Sequence, residues 1–569
     1  MRPPGARGRL VALRSKLTSF ASGELPHRFT DVLVIGSGIA GLSAALAAAE
    51  AGARVLVCAK AQLSLGSTAW AQGGIAAAIG PDDRPALHAR DTIEAGAGLC
   101  EAEVVEDIIG AAPEAIEHLV TAGVRFDRTP GGRFALTREG GHSRARILHA
   151  DGDQTGREIE RALLERITDF ERIRTLEHTF AIDLLPVDGS CRGALVWREG
   201  SGCEIVWAHA TVLATGGAGQ LFRETTNPST ATGDGLAMAL RAGLPLRDME
   251  FYQFHPTTLY VAGAGRALIT EAVRGEGAIL VDRSGRRFLE GVHPLRELAP
   301  RDVVARAIVR TMRETDDTQV YLDATHLDPI FFRRRFPHIS ALCDAFDIDF
   351  AHEPIPVRPT AHYMIGGVVT DPNGATALAG LWACGECAST GLHGANRLGS
   401  NSLLEGAVVG RRAGQAAAVR ARSLRERGDT RPIEIEHEVV SHHRLPQLDR
   451  TDLQRSLQAT LWYDVGVERH ATGLRQALER IERWIGYALD REERDPAGWA
   501  LQNQLTVALV MARAAWERTE SRGAHFRLDF PQRDDERWRL HRAFDLEALR
   551  DGAPPREVSV QGRDEGGAS

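Results

Sequence analysis

Five segments of the chain combine arginine, histidine and small polar residues in a pattern that suits the binding of a small dianion. A guanidinium group binds a carboxylate through two parallel N–H donors, and an imidazole can hold a remaining carboxylate oxygen. Arginines and histidines placed together beside glycine-rich backbone therefore indicate a site for a dicarboxylate. The segments are residues 251–257, 270–277, 300–302, 362–367 and 393–402.

Each member of this set also has an ordinary structural interpretation. A single histidine is often a hydrogen-bonded core residue, and a single arginine often forms a surface ion pair. Metal binding is another alternative, but the histidine spacings show no HExxH motif and no zinc-type pattern of paired cysteines. We therefore predict no metal site. Cys384 and Cys387 form a CxxC pair that could be redox-active, although two small buried residues are the plainer interpretation.

A glycine-rich turn near the N-terminus predicts where a nucleotide cofactor binds. The apolar run 31–35 is followed by the turn 36–41 (GSGIAG), an alanine-rich stretch and a second apolar run at 54–58. This order of strand, G-x-G-x-x-G turn, helix and strand is typical of a dinucleotide-binding βαβ unit. Its glycines let the backbone approach a pyrophosphate, which then lies at the N-terminus of the helix.

Two later apolar runs, 210–217 and 380–386, also end in glycine and predict further strands that reach the nucleotide. The second ends in Glu386, which could hold a ribityl chain. Elements spread this widely along the chain favour FAD over NAD, and the small residues of 66–74 suit a loop wrapped on a flat ring. The acid that usually binds the ribose is missing, and Lys60 stands there, either as a phosphate or ribose contact or as a solvated strand end.

The composition is that of an ordinary globular protein and excludes several other classes. The chain has 569 residues and a formal net charge of −8, so it offers no general attraction to nucleic acid or anionic membrane. No stretch approaches the roughly 20 apolar residues of a membrane-spanning helix. Seven cysteines without a regular spacing fit a reducing compartment. We predict a cytoplasmic protein that binds neither nucleic acid nor membrane.

Changes in composition divide the chain into segments. The basic start is interpreted as a flexible extension, with an organellar transit peptide as the alternative. After about residue 428, apolar residues recur at helical spacing, which predicts a helical bundle. The predicted segments are a flexible extension (1–28), an FAD-binding domain in two parts (29–247 and 355–424), an inserted capping domain (248–354), a helical domain (425–547) and a flexible tail (548–569).

The motifs together resemble those of the flavoprotein family of succinate dehydrogenase and fumarate reductase. The resemblance runs from about residue 31 to at least residue 411. It implies an α/β fold in which a Rossmann-like FAD-binding domain carries an inserted α+β capping domain and precedes a C-terminal helical bundle. The motifs are GSGIAG, AQGG, QFHPT, TEAVRGEG, PRDVVARA, AHYMIGG and HGANRLGSNSLLEGAVVG.

Two positions separate the members of this family. Succinate dehydrogenases share a flavin-linking histidine just before the AQGG loop, and Ser67 stands in that place here, which implies non-covalent FAD. The segment 136–143 resembles the signature of the branch that oxidises L-aspartate. Because the α-ammonium group is what succinate lacks, Glu139 is our candidate partner for it. The alternative for Glu139 is a loop ion pair with Arg138 or Arg144.

The resemblance also implies roles within the predicted dicarboxylate site. Arg397 and His362 would hold one carboxylate, and His255 and Thr270 would hold the other. Arg301 matches the family's proton donor and acceptor, a role that requires burial near other arginines to disfavour its cation. Glu139 completes the predicted catalytic group, and the remaining substrate-binding residues are Gln253, Glu271, Arg274 and Ser400.

The flavin contacts that the resemblance implies combine the glycine-rich elements with single residues from elsewhere in the chain. They are Gly36, Ser37, Gly38, Ile39, Ala40, Gly41, Lys60, Ser67, Thr68, Ala69, Trp70, Ala71, Gln72, Gly73, Gly74, Asp234, Glu386, Ser402 and Leu403.

The resemblance implies an enzyme that oxidises L-aspartate to iminoaspartate with FAD. Oxygen would then reoxidise the flavin and yield hydrogen peroxide, or fumarate would do so and become succinate. In the family, iminoaspartate passes to quinolinate synthase, which forms quinolinate in NAD biosynthesis. We expect the same transfer of the product here. Two alternatives stay open, namely the flavoprotein subunit of a fumarate reductase or succinate dehydrogenase, and a flavin-binding protein without turnover.

Overall fold

The computed structural model describes residues 13–428, 432–440 and 448–560. No helix within these ranges is long and apolar enough to cross a membrane. The α-helices, in chain order, are α1 (Ile39–Glu50), α2 (Pro85–Ala95), α3 (Ala102–Gly110), α4 (Ala112–Thr121), α5 (Thr155–Thr168), α6 (Asp234–Arg241), α7 (Glu271–Gly275), α8 (Arg301–Glu314), α9 (Pro329–Arg335), α10 (Pro337–Ala345), α11 (Asn401–Glu426), α12 (Arg450–Asp464), α13 (Ala471–Ala488), α14 (Pro496–Glu517), α15 (Asp535–Trp538) and α16 (Leu546–Asp551).

The strands are mostly short, and the long ones belong to the two sheets that flank the site. In chain order they are β1 (Phe20–Ala21), β2 (His27–Ile35), β3 (Val55–Cys58), β4 (Ile75–Ala76), β5 (Leu136–Thr137), β6 (Ile147–Leu148), β7 (Ile173–Leu176), β8 (Thr179–Val187), β9 (Ser190–Arg198), β10 (Gly202–Leu213), β11 (Leu246–Arg247), β12 (Tyr252–Leu259), β13 (Ile279–Val281), β14 (Val320–Asp323), β15 (Ile355–Met364), β16 (Gly367–Val369), β17 (Leu381–Ala383), β18 (Ala388–Ser389), β19 (Glu436–His437), β20 (Leu540–Phe544) and β21 (Arg556–Ser559).

A seven-stranded sheet forms the centre of the FAD-binding part, in the order β7-β3-β2-β10-β9-β8 with β17 also paired to β10. The strands β7, β3, β2, β10 and β17 are parallel, whereas β9 pairs in antiparallel fashion with β10 on one side and with β8 on the other. Val32 lies opposite Val55 on one side and Ala210 on the other, which sets the register. The predicted βαβ unit is confirmed as β2, α1 and β3.

Small residues let α11 lie directly against α1. Side chains at Gly410 and Gly414 would collide with the backbone of Ala40 and Ala44. Since positions later in α11 meet positions later in α1, the two helices run parallel. Their N-termini therefore lie side by side, which places the start of α11 next to the glycine-rich turn.

The inserted part contains a four-stranded antiparallel sheet in the order β12-β15-β14-β13. Leu259 on β12 and Val357 on β15 pack in the core of this part, whereas Tyr252 and Met364 at the other ends of these strands pack in the core of the main body. Both strands therefore pass from one core into the other. The predicted boundary at 354/355 is wrong in this respect, because β15 belongs to the inserted sheet.

The C-terminal part is helical at its centre and ends in strands. The periodicity at 474–489 and 502–518 is confirmed as α13 and α14. A correction concerns residues 540–559, because β20 and β21 complete a five-stranded sheet, β18-β16-β11-β20-β21. Leu549 of α16 is buried in the main core, so the expected flexible tail does not begin at residue 548. The expectation for 561–569 lies outside the described residues.

The chain before β2 is also structured where it is described. Leu13 and Leu17 are buried, and Leu17 N–H donates to Asp183 Oδ2 at 2.8 Å. Strand β1 pairs with β19. The expectation of a flexible extension over 1–28 is therefore wrong for 13–28, because apolar residues four apart anchor this segment. The expectation for 1–12, including the transit-peptide alternative, lies outside the described residues.

Candidate active site

A long cleft, with about 1710 Å³ of empty space and partly open to solvent, runs along one edge of the seven-stranded sheet. Its wall includes Ile35, Cys58, Ala214 and Cys384, which lie at or just after the carboxyl ends of β2, β3, β10 and β17. Parallel strands end at a common edge, where open α/β sheets bind their ligands. The three strand-and-glycine elements expected from the sequence meet here.

The glycine-rich turn forms part of this wall. Gly36 has a φ of +117°, and a side chain there would collide with the carbonyl of Ala214. Gly38 precedes α1 without a side chain to cap it, so the helix N-terminus is available to a pyrophosphate. Gly41 does not line the cleft as predicted. A side chain there would collide with the carbonyl of Gly36, so Gly41 permits close packing instead.

Lys60 lies after β3 and is held by an acid from another element. Its Nζ donates to Asp234 Oδ2 at 2.8 Å, to the Thr230 carbonyl oxygen at 3.2 Å and to the Thr232 hydroxyl. Burial opposes the charge on Asp234, but Lys60 together with the hydrogen bonds from Thr232 and Asn503 outweighs burial and lowers the pKa of this carboxyl. Both side chains line the cleft. A carboxylate thus lines the cleft beside the end of β3, and Lys60 is not a solvated strand end.

The loop 66–74 lies between the turn and the predicted dicarboxylate site. Thr68 Oγ1 accepts the N–H of Ile39 at 2.9 Å, which ties this loop to the start of α1. Gln72 Oε1 is buried and has no hydrogen-bond partner among the described residues, so a cofactor donor would satisfy it. Ala69 is the one member of this loop's predicted flavin set that does not line the cleft.

The remaining predicted flavin contacts, Glu386, Ser402 and Leu403, line the same cleft. Glu386 Oε1 accepts the N–H of Met364 at 2.9 Å, and burial raises the pKa of Glu386 to about 7. Close glycine backbone, a helix N-terminus and a row of polar groups along one edge of a parallel sheet are what an extended dinucleotide needs. The cleft therefore fits FAD.

One end of the cleft brings together the predicted dicarboxylate residues. His255 on β12 and His362 on β15 lie on neighbouring strands, with ring centres 5.2 Å apart. Arg301 is the first residue of α8, and Arg397 lies in the loop before α11. These four side chains and Thr270 all line the cleft. Groups that are far apart in the chain converge because β12 and β15 cross between the two cores.

Both histidines are held in the neutral form. Burial, followed by the charge of Arg301 for His255 and of Arg397 for His362, lowers their pKa values well below the ordinary value. His255 Nδ1 lies 3.1 Å from the carbonyl oxygen of Thr257 and 3.2 Å from its backbone nitrogen. Because both contacts engage Nδ1, Nε2 is the ring nitrogen left for a ligand oxygen.

Gln253 supports both arginines of the cleft from behind. Its Oε1 accepts from Arg397 Nη2 at 2.9 Å and Nε at 3.2 Å, and from Arg301 Nη1 at 3.2 Å. Burial, followed by the charge of Arg301, lowers the pKa of Arg397 to about 10. Gln253 does not line the cleft. The structure places this predicted pocket residue one layer below the wall.

Glu271 lies between two arginines in the same lower layer. Arg301 Nε donates to its Oε2 at 2.7 Å, and Arg274 Nη2 lies 3.4 Å from its Oε1. Burial opposes the charge on Glu271, but Arg301 and Arg274 outweigh it and lower the pKa of this carboxyl. Neither Glu271 nor Arg274 lines the cleft. The two residues form a buried chain of charges that ends at Arg301.

Glu139 occupies a buried position beside this layer. Its Oε2 accepts from the Ser400 hydroxyl at 2.8 Å, and its Oε1 has no hydrogen-bond partner within the described part of the chain. Burial, followed by the charge of Glu271, raises the pKa of Glu139. The partner of Glu139 is therefore Ser400, and not Arg138 or Arg144 as in the ion-pair alternative.

Two glycines bring the loop after Glu139 close to the site. A side chain at Gly140 would collide with Glu271, and Gly141 has a φ of +80°. Glu139 does not itself line the cleft. Its Oε1 lies 3.6 Å from the position that a Cβ on the lining residue Gly73 would occupy. The unsatisfied oxygen is therefore directly behind the loop 66–74, which lines the cleft.

Comparison with known proteins also indicates a flavoprotein, and the matches cover most of the chain. A family model described as "FAD binding domain" matches residues 31–403, and one described as "Fumarate reductase flavoprotein C-term" matches residues 454–555. L-aspartate oxidase of Streptomyces coelicolor is 47% identical over 530 residues, which cover 90% of each chain. The chain belongs to the L-aspartate oxidase family. FAD is accordingly its cofactor.

Further relatives agree with this membership. L-aspartate oxidase of Mycobacterium tuberculosis is 48% identical over 512 residues, covering 88% of this chain and 92% of the relative. Among solved structures, quinol fumarate reductase of E. coli matches with a TM-score of 0.86 and 33% identity over 96% of this chain and 99% of that one. Mycobacterium smegmatis Sdh1 matches with a TM-score of 0.80 and 33% identity, over 95% of each chain. The predicted fold class is confirmed.

Several cleft residues escaped the sequence analysis. Tyr363 lies under Arg397, with the guanidinium carbon 4.3 Å from the ring centre. The Thr226 hydroxyl lies 3.0 Å from His362 Nδ1. Tyr363 belongs to the AHYMIGG motif and could have been predicted from it. Thr226 lies outside the motifs on which the resemblance to the family rests. Residues 179–181 of β8 also line the cleft without any local signal.

Two other interpretations of the sequence can be compared with the structure. Cys384 and Cys387 are both buried free thiols, and burial raises the pKa of each. Cys387 Sγ lies 3.3 Å from the carbonyl oxygen of Leu213, so the pair packs inside the sheet edge. Among the described residues, no group of three histidine, cysteine or acidic side chains is arranged to hold a metal ion.

Proposed function

We propose that this chain oxidises L-aspartate to iminoaspartate with non-covalently bound FAD. The observation that carries the proposal is the buried Glu139 carboxylate, whose Oε1 lacks a partner among the described residues beside a cluster built for two carboxylates. A buried acceptor of this kind is costly unless a donor reaches it. In this proposal the α-ammonium group of aspartate is that donor, and it reaches Oε1 from the cleft beside Gly73 and Ser400, the lining residues that adjoin Glu139. Ser67, in place of a flavin-linking histidine, supports non-covalent attachment.

The two carboxylates of the substrate would divide the cluster between them. Arg397 and His362 would hold one, and His255 and Thr270 the other, since all four line one end of the cleft. Arg397 is fixed by Gln253, which accepts from Nε and Nη2, and by Ser402, which accepts from Nη1, so one remaining N–H on each terminal nitrogen is left for a carboxylate in a fixed orientation. This arrangement would leave the substrate's C2 hydrogen at the flavin end of the cleft.

FAD, when bound, supplies the acceptor for the two electrons that leave C2 with that hydrogen. The chain's own residues orient the substrate, exclude water and manage protons. The ammonium group must lose one proton as the carbon–nitrogen double bond forms. In the opposite direction, with fumarate as acceptor, Arg301 would supply a proton to the substrate and recover one through Glu271, which it contacts at 2.7 Å. Oxygen is the other proposed acceptor.

The product suggests the place of the reaction in metabolism. An imine hydrolyses readily in water, so a second enzyme must take it promptly. We propose the family's role, the first step of NAD biosynthesis from aspartate, with iminoaspartate passing to a quinolinate synthase. A cytoplasmic location stays a prediction.

The second candidate is a flavoprotein subunit of a fumarate reductase or succinate dehydrogenase, which the likeness to the E. coli enzyme favours. Ser67 and the buried Glu139 weigh against it, because a plain diacid offers no donor to Glu139. A flavin-binding protein without turnover is disfavoured, since the cluster is complete in residue types and geometry.

The test is anaerobic. The yellow protein is mixed with L-aspartate, or with succinate in a parallel cuvette, and the loss of visible flavin absorbance is followed. Bleaching by aspartate alone is the expected result. Bleaching by succinate alone would contradict the proposal and assign the chain to the dehydrogenase branch. A protein without bound flavin is first reconstituted with FAD, so that a missing cofactor is not mistaken for a missing activity.

A further inference from the structure

A buried histidine joins the loop that carries Glu139 to the turn that precedes α11. His142 Nε2 lies 3.0 Å from the carbonyl oxygen of Gly399, and only 5% of the residue is exposed. Gly399 immediately precedes Ser400, whose hydroxyl donates to Glu139. The backbone N–H of His142 also donates to the carbonyl oxygen of Glu139 at 3.2 Å. Both supports of Glu139 therefore meet at His142, one at its ring and one at its backbone N–H.

Arg146 determines which nitrogen of His142 carries the hydrogen. Its Nη1 lies 3.3 Å from His142 Nδ1. A guanidinium group only donates, so Nδ1 accepts and the hydrogen lies on Nε2, from where it donates to Gly399. Burial lowers the pKa of His142 to about 4, so this neutral tautomer persists at physiological pH.

Two buried carboxylates hold Arg146 in this orientation. Asp83 accepts from Arg146 Nε at 2.7 Å and from Nη2 at 3.0 Å, and Asp91 Oδ2 accepts from Nη1 at 2.6 Å. Asp91 Oδ2 also accepts the N–H of Ser143 at 2.8 Å and its hydroxyl at 2.7 Å. The end of the Glu139 loop and the arginine behind His142 are thus attached to the same acid on α2.

We propose that His142 is a positioning residue for amine selectivity, holding the Gly399 carbonyl so that Ser400 stays directed at Glu139. The proposal deepens the proposed function and rests on the role given there to Glu139. Ser400 has a φ of +62°, which side-chain-bearing residues rarely adopt, and its backbone is held on both sides, by the Ala76 N–H that donates to the Ser400 carbonyl oxygen at 3.0 Å and by His142 at the Gly399 carbonyl. Ser400 occupies Oε2 of Glu139 and so leaves Oε1 for the ammonium group.

The test compares two amides at position 142. Glutamine places its side-chain N–H near the position of histidine Nε2 and can reach the Gly399 carbonyl, whereas asparagine is one methylene shorter and cannot. The control is His525→Asn in the C-terminal part. His525 has the same pattern of contacts, with Arg469 Nη1 2.6 Å from Nδ1 and the Arg518 carbonyl oxygen 3.2 Å from Nε2.

Three quantities are measured for each variant. The apparent Kd for L-aspartate comes from the concentration dependence of anaerobic flavin reduction. The Kd for succinate comes from the shift of the flavin spectrum on binding, and the Kd for FAD from reconstitution of the apoprotein. Succinate reports on the carboxylate contacts alone, and FAD binding reports on the integrity of the cleft.

We expect His142→Asn to raise the Kd for aspartate about five- to tenfold, the value of one lost hydrogen bond, with less than about a twofold change for succinate and FAD. His142→Gln should stay within about twofold of the original protein for all three ligands. Equal weakening of aspartate and succinate by His142→Asn, or the same pattern in His525→Asn, would overturn the proposal in favour of a general structural role. If His142→Asn does not fold, the same selective loss is sought in Asp91→Asn.

A double variant separates this proposal from the proposed function. If His142 acts through Glu139, His142→Asn adds nothing to the aspartate Kd in a Glu139→Gln background. Additive effects would overturn the positioning role and leave the role of Glu139 intact. No effect of Glu139→Gln on aspartate would instead contradict the proposed function itself.

Discussion

Replacing Glu139 with glutamine changes one group of the site and almost no volume. Glu139 as a residue is 4% exposed, so solvent does not screen its interaction with a bound ammonium group. Ser400 already occupies Oε2, which leaves one oxygen for the substrate. A hydrogen bond to a charged group contributes about 1.5–3 kcal/mol, and each 1.4 kcal/mol is tenfold, so the Kd for L-aspartate should rise about 10- to 100-fold.

The same substitution should leave succinate binding unchanged or slightly tighter, because succinate has no ammonium group and the variant removes a buried carboxylate near a dianion. Anaerobic flavin reduction gives the Kd for aspartate, and the flavin spectral shift gives the Kd for succinate. The quantity that tests the reasoning is the ratio of the two constants, since a general distortion of the pocket would raise both.

Glu160 on α5 provides a matched control. It is 3% exposed, its Oε1 also lacks a partner among the described residues, and burial raises its pKa to about 8. Because Glu160 is mostly neutral at pH 7, Glu160→Gln should change either Kd by less than about twofold. A parallel loss of aspartate and succinate binding in Glu139→Gln, or an equal selective loss in Glu160→Gln, would refute the assignment of Glu139 as the amine partner.

Three further outcomes follow from the geometry. Arg397→Leu should weaken the binding of both aspartate and fumarate by about 2–5 kcal/mol, because both ligands carry the carboxylate that Arg397 holds. Steady-state KM values check this, and a loss confined to one ligand would contradict it. Glu139 must be ionised to bind an ammonium group, and its pKa is raised. The affinity for aspartate should therefore fall as the pH falls through that raised pKa, whereas the affinity for succinate should not. Kd values measured against pH check this. Gly41→Ala should lower the stability by about 1–3 kcal/mol and weaken FAD binding, since its Cβ would collide with the Gly36 carbonyl; an unchanged Tm would show that the turn can move.

Local sequence patterns were sufficient to predict the cofactor and the types of residue at the end of the cleft that holds the histidine and arginine cluster. The turn 36–41 lies between two buried strands, so its backbone conformation and its place at a sheet edge follow from neighbours within a few residues. Arg397 and His362, which both line the cleft, were predicted from motifs that are short and specific. The helices α13 and α14 followed from the periodicity of their apolar residues.

Contacts between segments that are far apart in the chain could not be predicted from local sequence patterns. Strand β20 pairs with β11 across almost 300 residues, and nothing near Leu540 indicates that partner. The pairing of Lys60 with Asp234 depends on the start of α6 reaching the end of β3. Such contacts are decided by how layers stack, which no local spacing encodes.

The sequence by itself determined the family, the cofactor and the set of side chains available to a dicarboxylate, because residue types and short spacings specify which donors and acceptors exist. Only the tertiary structure decided which of them face the cleft. It placed Gln253, Glu271 and Arg274 in a layer below Arg301 and Arg397, and it left one oxygen of Glu139 without a partner among the described residues. The physical reason is that burial and hydrogen-bond satisfaction are properties of the packed chain, and they belong to no residue alone.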